Sequence, residues 1–256
     1  IVLDEAQMVP TKQLLPCLRA LIELVANYGC SVVLCTATQP AFNGMLGRKG
    51  FAVREIAPAP SELFKQLKRV SYRFDGVLGD DDLAARLADR DQSLCLVNSR
   101  KQARRLHELL DGEDSYHLTT LMHPVHRERV LNEIRQRLRE GRTCRVVATS
   151  LIEAGVDVDF PVVYRALAGV DSMVQAAGRC NREGRQSAEE SIVHVFEPAD
   201  DYALPSDVAQ KVAIARSVIS EMEGAACESC DIGALEAIDA YFARLYALRE
   251  GALDAS

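Results

Sequence analysis

The sequence predicts an α/β protein in which parallel sheets are flanked by helices. Two observations support this fold class. Short apolar runs alternate with helical periodicity along the first 200 residues, and polar side chains directly follow several of these runs. Short apolar strands separated by helices are typical of β-α-β units and a buried parallel sheet. Beyond residue 205 only helical periodicity remains, which predicts a helical tail.

Two series of elements follow each other along the chain. The first has an apolar run at 1–3, a helical pattern at 14–28 that ends at Gly29, and a second apolar run at 31–35. Prolines interrupt the pattern between residues 40 and 60, and this break predicts a domain boundary. The second series predicts strands at 70–74, 93–97, 115–120, 144–148, 162–164 and 192–196, with helices at 81–88, 101–110, 127–139 and 172–180.

These breaks divide the chain into three predicted parts. Residues 1–60 would form the carboxyl-terminal part of a first domain, residues 61–200 a complete second domain, and residues 201–256 a helical tail or the start of an accessory domain. The net charge of −7 is concentrated in the tail, since residues 191–256 hold 4 basic and 12 acidic side chains. The acidity therefore does not argue against a nucleic-acid partner for the rest of the chain.

Length and composition exclude several classes of protein. The chain has 256 residues, of which 48% are hydrophobic and 26% charged, as in a globular protein and unlike a disordered, collagen-like or coiled-coil chain. No apolar run reaches the roughly 18 residues of a membrane span. No secretory signal is visible. We therefore expect a cytoplasmic protein with no membrane partner.

Acidic and hydroxyl side chains follow the first two apolar runs. Asp4 and Glu5 follow the run at 1–3, where the first carboxylate is suited to hold Mg²⁺ and the second to orient an attacking water. Thr36 and Thr38 follow the next run, and their hydroxyls could couple the acidic turn to a moving partner domain. Acids and threonines are also common at the ends of strands that have no catalytic role, so a purely structural role remains open for both pairs.

An arginine-rich segment follows the strand predicted at 162–164. Gln175, Arg179 and Arg182 recur at i, i+4 and i+7, so on a helix they would share one face. Gly178 would let that face approach another backbone closely. Two guanidiniums suit a phosphate whose charge shifts during reaction. The alternative is a salt-bridged surface helix.

A loop with possible phosphate and ribose contacts follows the strand predicted at 144–148. Thr149 offers a hydroxyl to a phosphate, Gly155 permits a turn, and Asp157 could accept a hydrogen bond from a ribose hydroxyl. Read singly, each of these is an ordinary loop residue.

Taken together, the four segments resemble motifs of superfamily-two helicases and translocases. They match in order, at 4–7, 36–38, 148–157 and 175–182, and the segment 96–99 stands where a further motif is expected. In that superfamily two RecA-like domains enclose ATP between them. The resemblance thus implies a truncated first RecA-like domain, a complete second one and a helical tail.

Longer runs resemble one family, the CRISPR-associated helicase–nuclease of type I systems. They read DEAQMVP from Asp4, LCTATQPA from Leu34, HLTTLMHPVHR from His117, TSLIEAGVDVDFP from Thr149 and VQAAGRCNREGR from Val174. In that family an ATP-driven motor is recruited to an RNA-guided surveillance complex, pulls on displaced single-stranded DNA, and delivers it to an HD nuclease domain in the same protein.

The resemblance implies roles for residues of this sequence. ATP and Mg²⁺ are the implied cofactors; the implied partners are single-stranded DNA, the RNA-guided CRISPR surveillance complex and an upstream HD nuclease domain. Catalytic roles fall on Asp4, Glu5, Gln7, Gln175, Arg179 and Arg182, with Asp4 and Glu5 at Mg²⁺; nucleotide contacts fall on Gly155, Asp157 and Asp4; DNA-backbone contacts fall on Asn98, Ser99 and Thr149; and coupling falls on Thr36 and Thr38.

Two parts of the family's pattern are absent from this sequence. The phosphate-binding loop G-x-x-x-x-G-K-[ST] and the His-Asp cluster of the nuclease are both expected upstream of Ile1. Without that loop, this chain alone is expected to hydrolyse almost no ATP. Two alternatives remain open: another superfamily-two helicase of the DEAH type acting on RNA or DNA, and a non-catalytic docking fragment.

Overall fold

The structure is a computed structural model that describes residues 1–6, 9, 13–36, 53–152, 156–224 and 231–249. Internal contacts group residues 1–67 with 232–256 in one compact unit and residues 68–231 in a second. The helix that follows residue 205 thus belongs to the second unit, and the last helix belongs to the first. The boundaries predicted after residues 60 and 200 stay predictions. Among the described residues, no helix is both long and apolar enough to cross a bilayer.

The first unit contains a short parallel strand pair. Strands β1 (Val2–Leu3) and β2 (Val33–Leu34) pair in parallel, and helix α1 (Leu14–Tyr28) connects them. The predicted end of α1 is confirmed, because Gly29 adopts the left-handed conformation (φ 64°) and its N–H caps a carbonyl of the last turn. Helix α2 (Pro60–Gln66) also belongs to this unit.

Ala6, Leu14 and Leu18 form a small buried cluster in the first unit. Tyr246 packs against this cluster. It lies on the last helix, Leu235–Arg249, here named α8. This contact is the reason why the end of the chain groups with its beginning.

The second unit contains a six-stranded parallel sheet. The strand order is β3-β8-β7-β4-β6-β5, and each neighbouring pair is parallel. The predicted parallel sheet flanked by helices is therefore confirmed. The strands are β3 (Ser71–Leu78), β4 (Gln92–Leu96), β5 (Ser115–Leu118), β6 (Cys144–Ala148), β7 (Val163–Ala166) and β8 (Ile192–Pro198). The helices are α3 (Asp80–Ala88), α4 (Arg100–Leu110), α5 (Pro124–Arg139), α6 (Val170–Ala177) and α7 (Ser206–Gly224).

Both faces of this sheet are buried, which explains why its strands are apolar runs. Leu94 belongs to the cluster that contains Ile134 of α5, whereas Cys95 belongs to the cluster that contains Leu83 of α3 and Leu106 of α4. Successive side chains of a strand point to opposite faces. Because all six strands are parallel, their carboxyl ends lie along one edge of the sheet, where Asn98, Ser99 and Thr149 follow β4 and β6.

Candidate functional site

The two acids of the first unit lie in an exposed turn after β1. Asp4 and Glu5, here called the acidic edge, are both exposed. The backbone N–H of Glu5 donates to Asp4 Oδ1 at 3.1 Å, and Glu5 has φ 52°. Their oxygens are of the type that Mg²⁺ prefers. Thr36 follows β2 and is half-buried, while Gln7 and Thr38 lie outside the described residues.

The arginine segment does not continue α6, so the prediction of one shared helix face is wrong. Gln175 lies on α6, but the helix ends before Arg179 and Arg182. The Arg179 carbonyl instead accepts the N–H of Phe160 (2.9 Å), and Asn181 N–H donates to the Phe160 carbonyl (3.1 Å). This pairing with an earlier segment turns the chain away from the helix axis.

Gly178 closes α6. A Cβ built on it would meet the Gln175 carbonyl oxygen at 3.3 Å, which belongs to the preceding turn, and among the described residues no second segment of backbone comes within 4 Å of it. The close approach of this face to another element stays a prediction.

The two arginines occupy different environments. Arg179 is 8% exposed, and its Nε donates to the Ile152 carbonyl at 2.9 Å. Arg182 is exposed, and its Nε lies 3.1 Å from Asp157 Oδ1. Two residues that the resemblance assigns to the nucleotide thus meet directly. We call Arg179, Arg182 and Asp157 the arginine edge; Gly155 lies outside the described residues.

A second aspartate holds the backbone of the arginine edge. Asp159 accepts the N–H of Arg182 at 2.7 Å and that of Glu183 at 3.3 Å. Burial is the main cause that raises the pKa of the Cys180 thiol to about 12, and the negative charge of Asp159 contributes to the same shift. Cys180 is therefore an inert packing residue here. The sequence analysis missed Asp159, although the Asp-Val-Asp spacing with Asp157 was a usable signal.

The predicted nucleic-acid contacts lie at the carboxyl ends of adjacent strands. Asn98 and Ser99 follow β4, and Thr149 follows the neighbouring strand β6. The Ser99 hydroxyl oxygen accepts the N–H of Lys101 at 3.2 Å and caps α4. Thr149 is buried, and within the described residues its Oγ1 has no hydrogen-bond partner.

Asn98 takes part in a buried network that the sequence analysis missed. Its Nδ2 donates to the Leu167 carbonyl at 2.8 Å, and its Oδ1 accepts from Arg165 at 2.8 Å. Arg165 is 2% exposed and also donates to the Leu96 carbonyl (3.3 Å) and to Ser172 Oγ (3.2 Å). The guanidinium thus joins β4, β7 and the first turn of α6 beneath the carboxyl edge of the sheet.

Comparison with known proteins gives a consistent result. Residues 84–185 match the family model described as CRISPR-associated nuclease/helicase Cas3, C-terminal. A CRISPR-associated nuclease/helicase Cas3 from Methanothermobacter thermautotrophicus is 26% identical over 219 residues, which are 78% of this chain and 26% of that protein.

Two solved structures share the fold over almost the whole chain. The crystal structure of T. fusca Cas3 with ATP has a TM-score of 0.70 at 19% identity, covering 99% of this chain and 37% of that one. A chain of a CRISPR RNA-guided surveillance complex in a pre-nicking state has a TM-score of 0.66 at 18% identity, covering 98% and 39%. This chain therefore spans only about a quarter to two fifths of the proteins that it resembles.

The six-stranded parallel sheet flanked by helices has the RecA-like fold of the Cas3 structures that it matches. The family model over residues 84–185, the Methanothermobacter relative and the solved structures agree that the chain is similar to Cas3 helicases. The resemblance that the sequence motifs predict is confirmed.

Proposed function

We propose that this chain is the motor portion of an ATP-dependent single-stranded-DNA translocase and helicase that acts in type I CRISPR interference. The observation that carries the proposal is the arginine edge, where the exposed Arg182 pairs with Asp157 and the buried Arg179 is held by the Ile152 carbonyl.

The side chains present fit ATP and Mg²⁺. Asp4 and Glu5 would hold Mg²⁺, whose chemistry is to neutralise phosphate charge and to orient water. Arg182 would stabilise the charge that develops on the phosphate, because its exposed guanidinium can exchange Asp157 for an anion. Arg179 would act from a fixed position, since its Nε already bonds the Ile152 carbonyl.

Contacts to DNA would come from the carboxyl ends of β4 and β6. The Ser99 oxygen accepts from Lys101 N–H, so its proton remains able to donate to a phosphate oxygen. The buried Thr149 hydroxyl, which has no partner within the described residues, fits the same role. Such contacts go to the backbone, so binding would be independent of sequence and weakened by salt. Choice of target would come from the guide complex.

The test is ATP hydrolysis by the full-length protein with single-stranded DNA or single-stranded RNA added. We expect stimulation by DNA alone, and loss of that stimulation in Asp4→Ala. Glu23→Ala is the matched control, because Glu23 is an exposed acid of the same unit whose carboxylate accepts from the neighbouring Asn27 side chain on α1.

Each other outcome points to an alternative. Equal or greater stimulation by RNA would identify an RNA helicase of the same superfamily. No turnover with either nucleic acid would identify a non-catalytic docking protein. If DNA stimulates turnover, unwinding of a target bound by a type I surveillance complex, compared with the same duplex alone, tests the proposed recruitment and delivery to an attached HD nuclease.

A further inference from the structure

The chain passes between the two units at two places, after Leu67 and after Asp231. The residues on the second unit's side of these passages are joined to each other. Lys68 Nζ lies 2.7 Å from Asp231 Oδ2, and the two side chains are 38% and 25% exposed. Burial is the main cause that raises the pKa of Tyr72 on β3, and the negative charge of Asp231 raises it further. Both passages are therefore anchored at the start of this sheet.

The next residue, Arg69, bonds the arginine segment in two directions. Its carbonyl accepts from Asn181 Nδ2 at 2.9 Å. Its guanidinium donates to the Arg182 carbonyl. These bonds link positions more than a hundred residues apart in sequence and join the passage at 67–69 to the segment that carries Arg182.

Asn181 holds the turn that carries Arg182 against the backbone of Arg69. It is 4% exposed and has φ 47°, a left-handed conformation that asparagine tolerates better than most residues. Its Nδ2 also donates to the Gln186 carbonyl (2.8 Å), and its Oδ1 accepts Gln186 N–H (3.1 Å). Because its amide is used on both sides, the turn that carries Arg182 keeps one shape relative to Arg69.

The backbone of Arg182 is consequently fixed on both sides. Asp159 accepts its N–H at 2.7 Å, and Arg69 donates to its carbonyl. The side chain, in contrast, reaches outward to the exposed Asp157. Arg69 thus helps to fix the backbone position from which the Arg182 side chain extends. It does not contact the guanidinium itself.

We propose that Arg69 is a positioning residue that couples the passage between the two units to the placement of Arg182. The proposal rests on the proposed function, in which Arg182 acts on the phosphate during ATP hydrolysis. A force transmitted along the chain at residue 67 reaches Arg69 before it reaches the sheet, and through Arg69 it reaches the Arg182 backbone. Misplacement of a catalytic group by about 1 Å can cost on the order of a hundredfold in rate.

The test is a double-mutant cycle on DNA-stimulated ATP hydrolysis by the full-length protein. Arg69→Ala is expected to lower kcat by about tenfold or more, while the KM for ATP changes less than about twofold, since binding of ATP does not depend on Arg69. In an Arg182→Ala background the same substitution should have no further effect, because Arg69 acts through Arg182. Asn181→Asp, which replaces the donor to the Arg69 carbonyl by an acceptor, should reproduce the effect on kcat.

Arg185→Ala is the matched control, because Arg185 is an exposed arginine of the same segment that pairs with Glu183. It should leave kcat unchanged. Arg69→Lys keeps a cation that can donate to the Arg182 carbonyl and should restore part of kcat, which protects the test against a variant that fails to fold.

The outcomes separate this proposal from the one on which it rests. No decrease of kcat in Arg69→Ala, or an equal decrease with and without Arg182, would overturn the coupling. An unchanged turnover in Arg182→Ala would instead overturn the role of Arg182 in the proposed function.

Discussion

The acidic edge and the arginine edge present their functional groups in opposite ways. Asp4 and Glu5 stand exposed in a turn, and the bond between them is local, from Glu5 N–H to Asp4 Oδ1. Arg179 is 8% exposed and bonds the carbonyl of Ile152, 27 positions earlier. Arg182 has an exposed side chain, but Asp159 holds its backbone.

This difference predicts which substitutions affect only activity and which also affect the stability of the fold. A buried group with long-range hydrogen bonds stabilises the fold, and its removal leaves a buried partner unsatisfied. An exposed group in a local turn contributes little to stability. We therefore expect substitutions at the acidic edge that leave the backbone conformation unchanged to affect activity alone, whereas at the arginine edge the effect on stability should depend on burial.

The largest expected effect is the loss of ATP turnover in Arg182→Ala and Arg179→Ala. An arginine that stabilises the charge on a transferring phosphoryl group is worth about 10³-fold or more in rate. Arg179→Ala should in addition lower the free energy of unfolding by about 1–3 kcal/mol, because the Ile152 carbonyl loses its buried donor. Turnover by the full-length protein and thermal unfolding measure the two effects.

A comparison of the stability of the two arginine variants tests whether burial decides the effect of a substitution at the arginine edge. Arg182→Ala should keep the melting temperature of the unchanged protein, since its guanidinium pairs at the surface with Asp157. Equal losses of stability in both variants would show that burial does not separate them. Arg185→Ala serves again as the exposed control.

A further substitution tests whether the six-stranded sheet depends on a buried cation near the carboxyl ends of β4 and β7. Arg165→Met should lower the free energy of unfolding by about 2–3 kcal/mol, because the Leu96 carbonyl, Asn98 Oδ1 and Ser172 Oγ lose their donor inside the protein. Denaturant unfolding measures the change.

Arg104→Met is the control for Arg165→Met, because Arg104 is an exposed residue of α4 that pairs with Glu108 one turn away. Its removal should cost less than about 0.5 kcal/mol. Similar losses in both variants would contradict a supporting role for the buried network.

The sequence predicts the six-stranded sheet well because both of its faces are covered. A strand that is buried on both sides must be an apolar run, and such a run is visible in a short window of sequence. The strand at 144–148 is predicted with the bounds that the structure has. β1 and β2 are also predicted as apolar runs, although Val2 is 67% exposed and the structure shortens both strands, to Val2–Leu3 and Val33–Leu34.

The sequence does not predict the geometry of the arginine edge, because that geometry depends on remote partners. The end of α6 depends on the bond from Phe160 N–H to the Arg179 carbonyl, and a local helical pattern contains no information about that partner. The partner of Arg165 is equally remote, since Asn98 lies 67 positions away. Long-range bonds of this kind set the positions of functional side chains.

A smaller effect is expected from the strained turn of the acidic edge. Glu5 has φ 52°, a conformation that costs most residues about 1–2 kcal/mol and glycine almost nothing. Glu5→Gly should therefore raise the free energy of unfolding by about 0.5–1 kcal/mol after the added entropy of the unfolded chain is counted. Glu5→Gln keeps the strain and should leave stability unchanged. A loss of stability in both variants would mean that the acidic edge supports the fold as the arginine edge does.

The smallest expected effect is a pH dependence from two stacked histidines of the second unit. His107 and His117 have ring centroids 5.6 Å apart, and within the described residues the buried His117 Nε2 has no hydrogen-bond partner. Burial is the main cause that lowers the pKa of both side chains. The charge of Arg104 further lowers the pKa of His117, and that of Glu108 raises it.

The sign of this dependence follows from proton binding. Below the ordinary histidine pKa of about 6.5 the unfolded chain binds protons that the folded state excludes, so stability falls as pH falls through that value toward the lower folded pKa. Thermal unfolding between about pH 7.5 and about pH 5.5 should show this loss, and His117→Gln should reduce it because glutamine does not titrate. His126→Gln, at an exposed position on α5, is the control. An equal loss in His117→Gln and the unchanged protein would assign the dependence to other groups, and burial in the second unit would then not govern its response to acid.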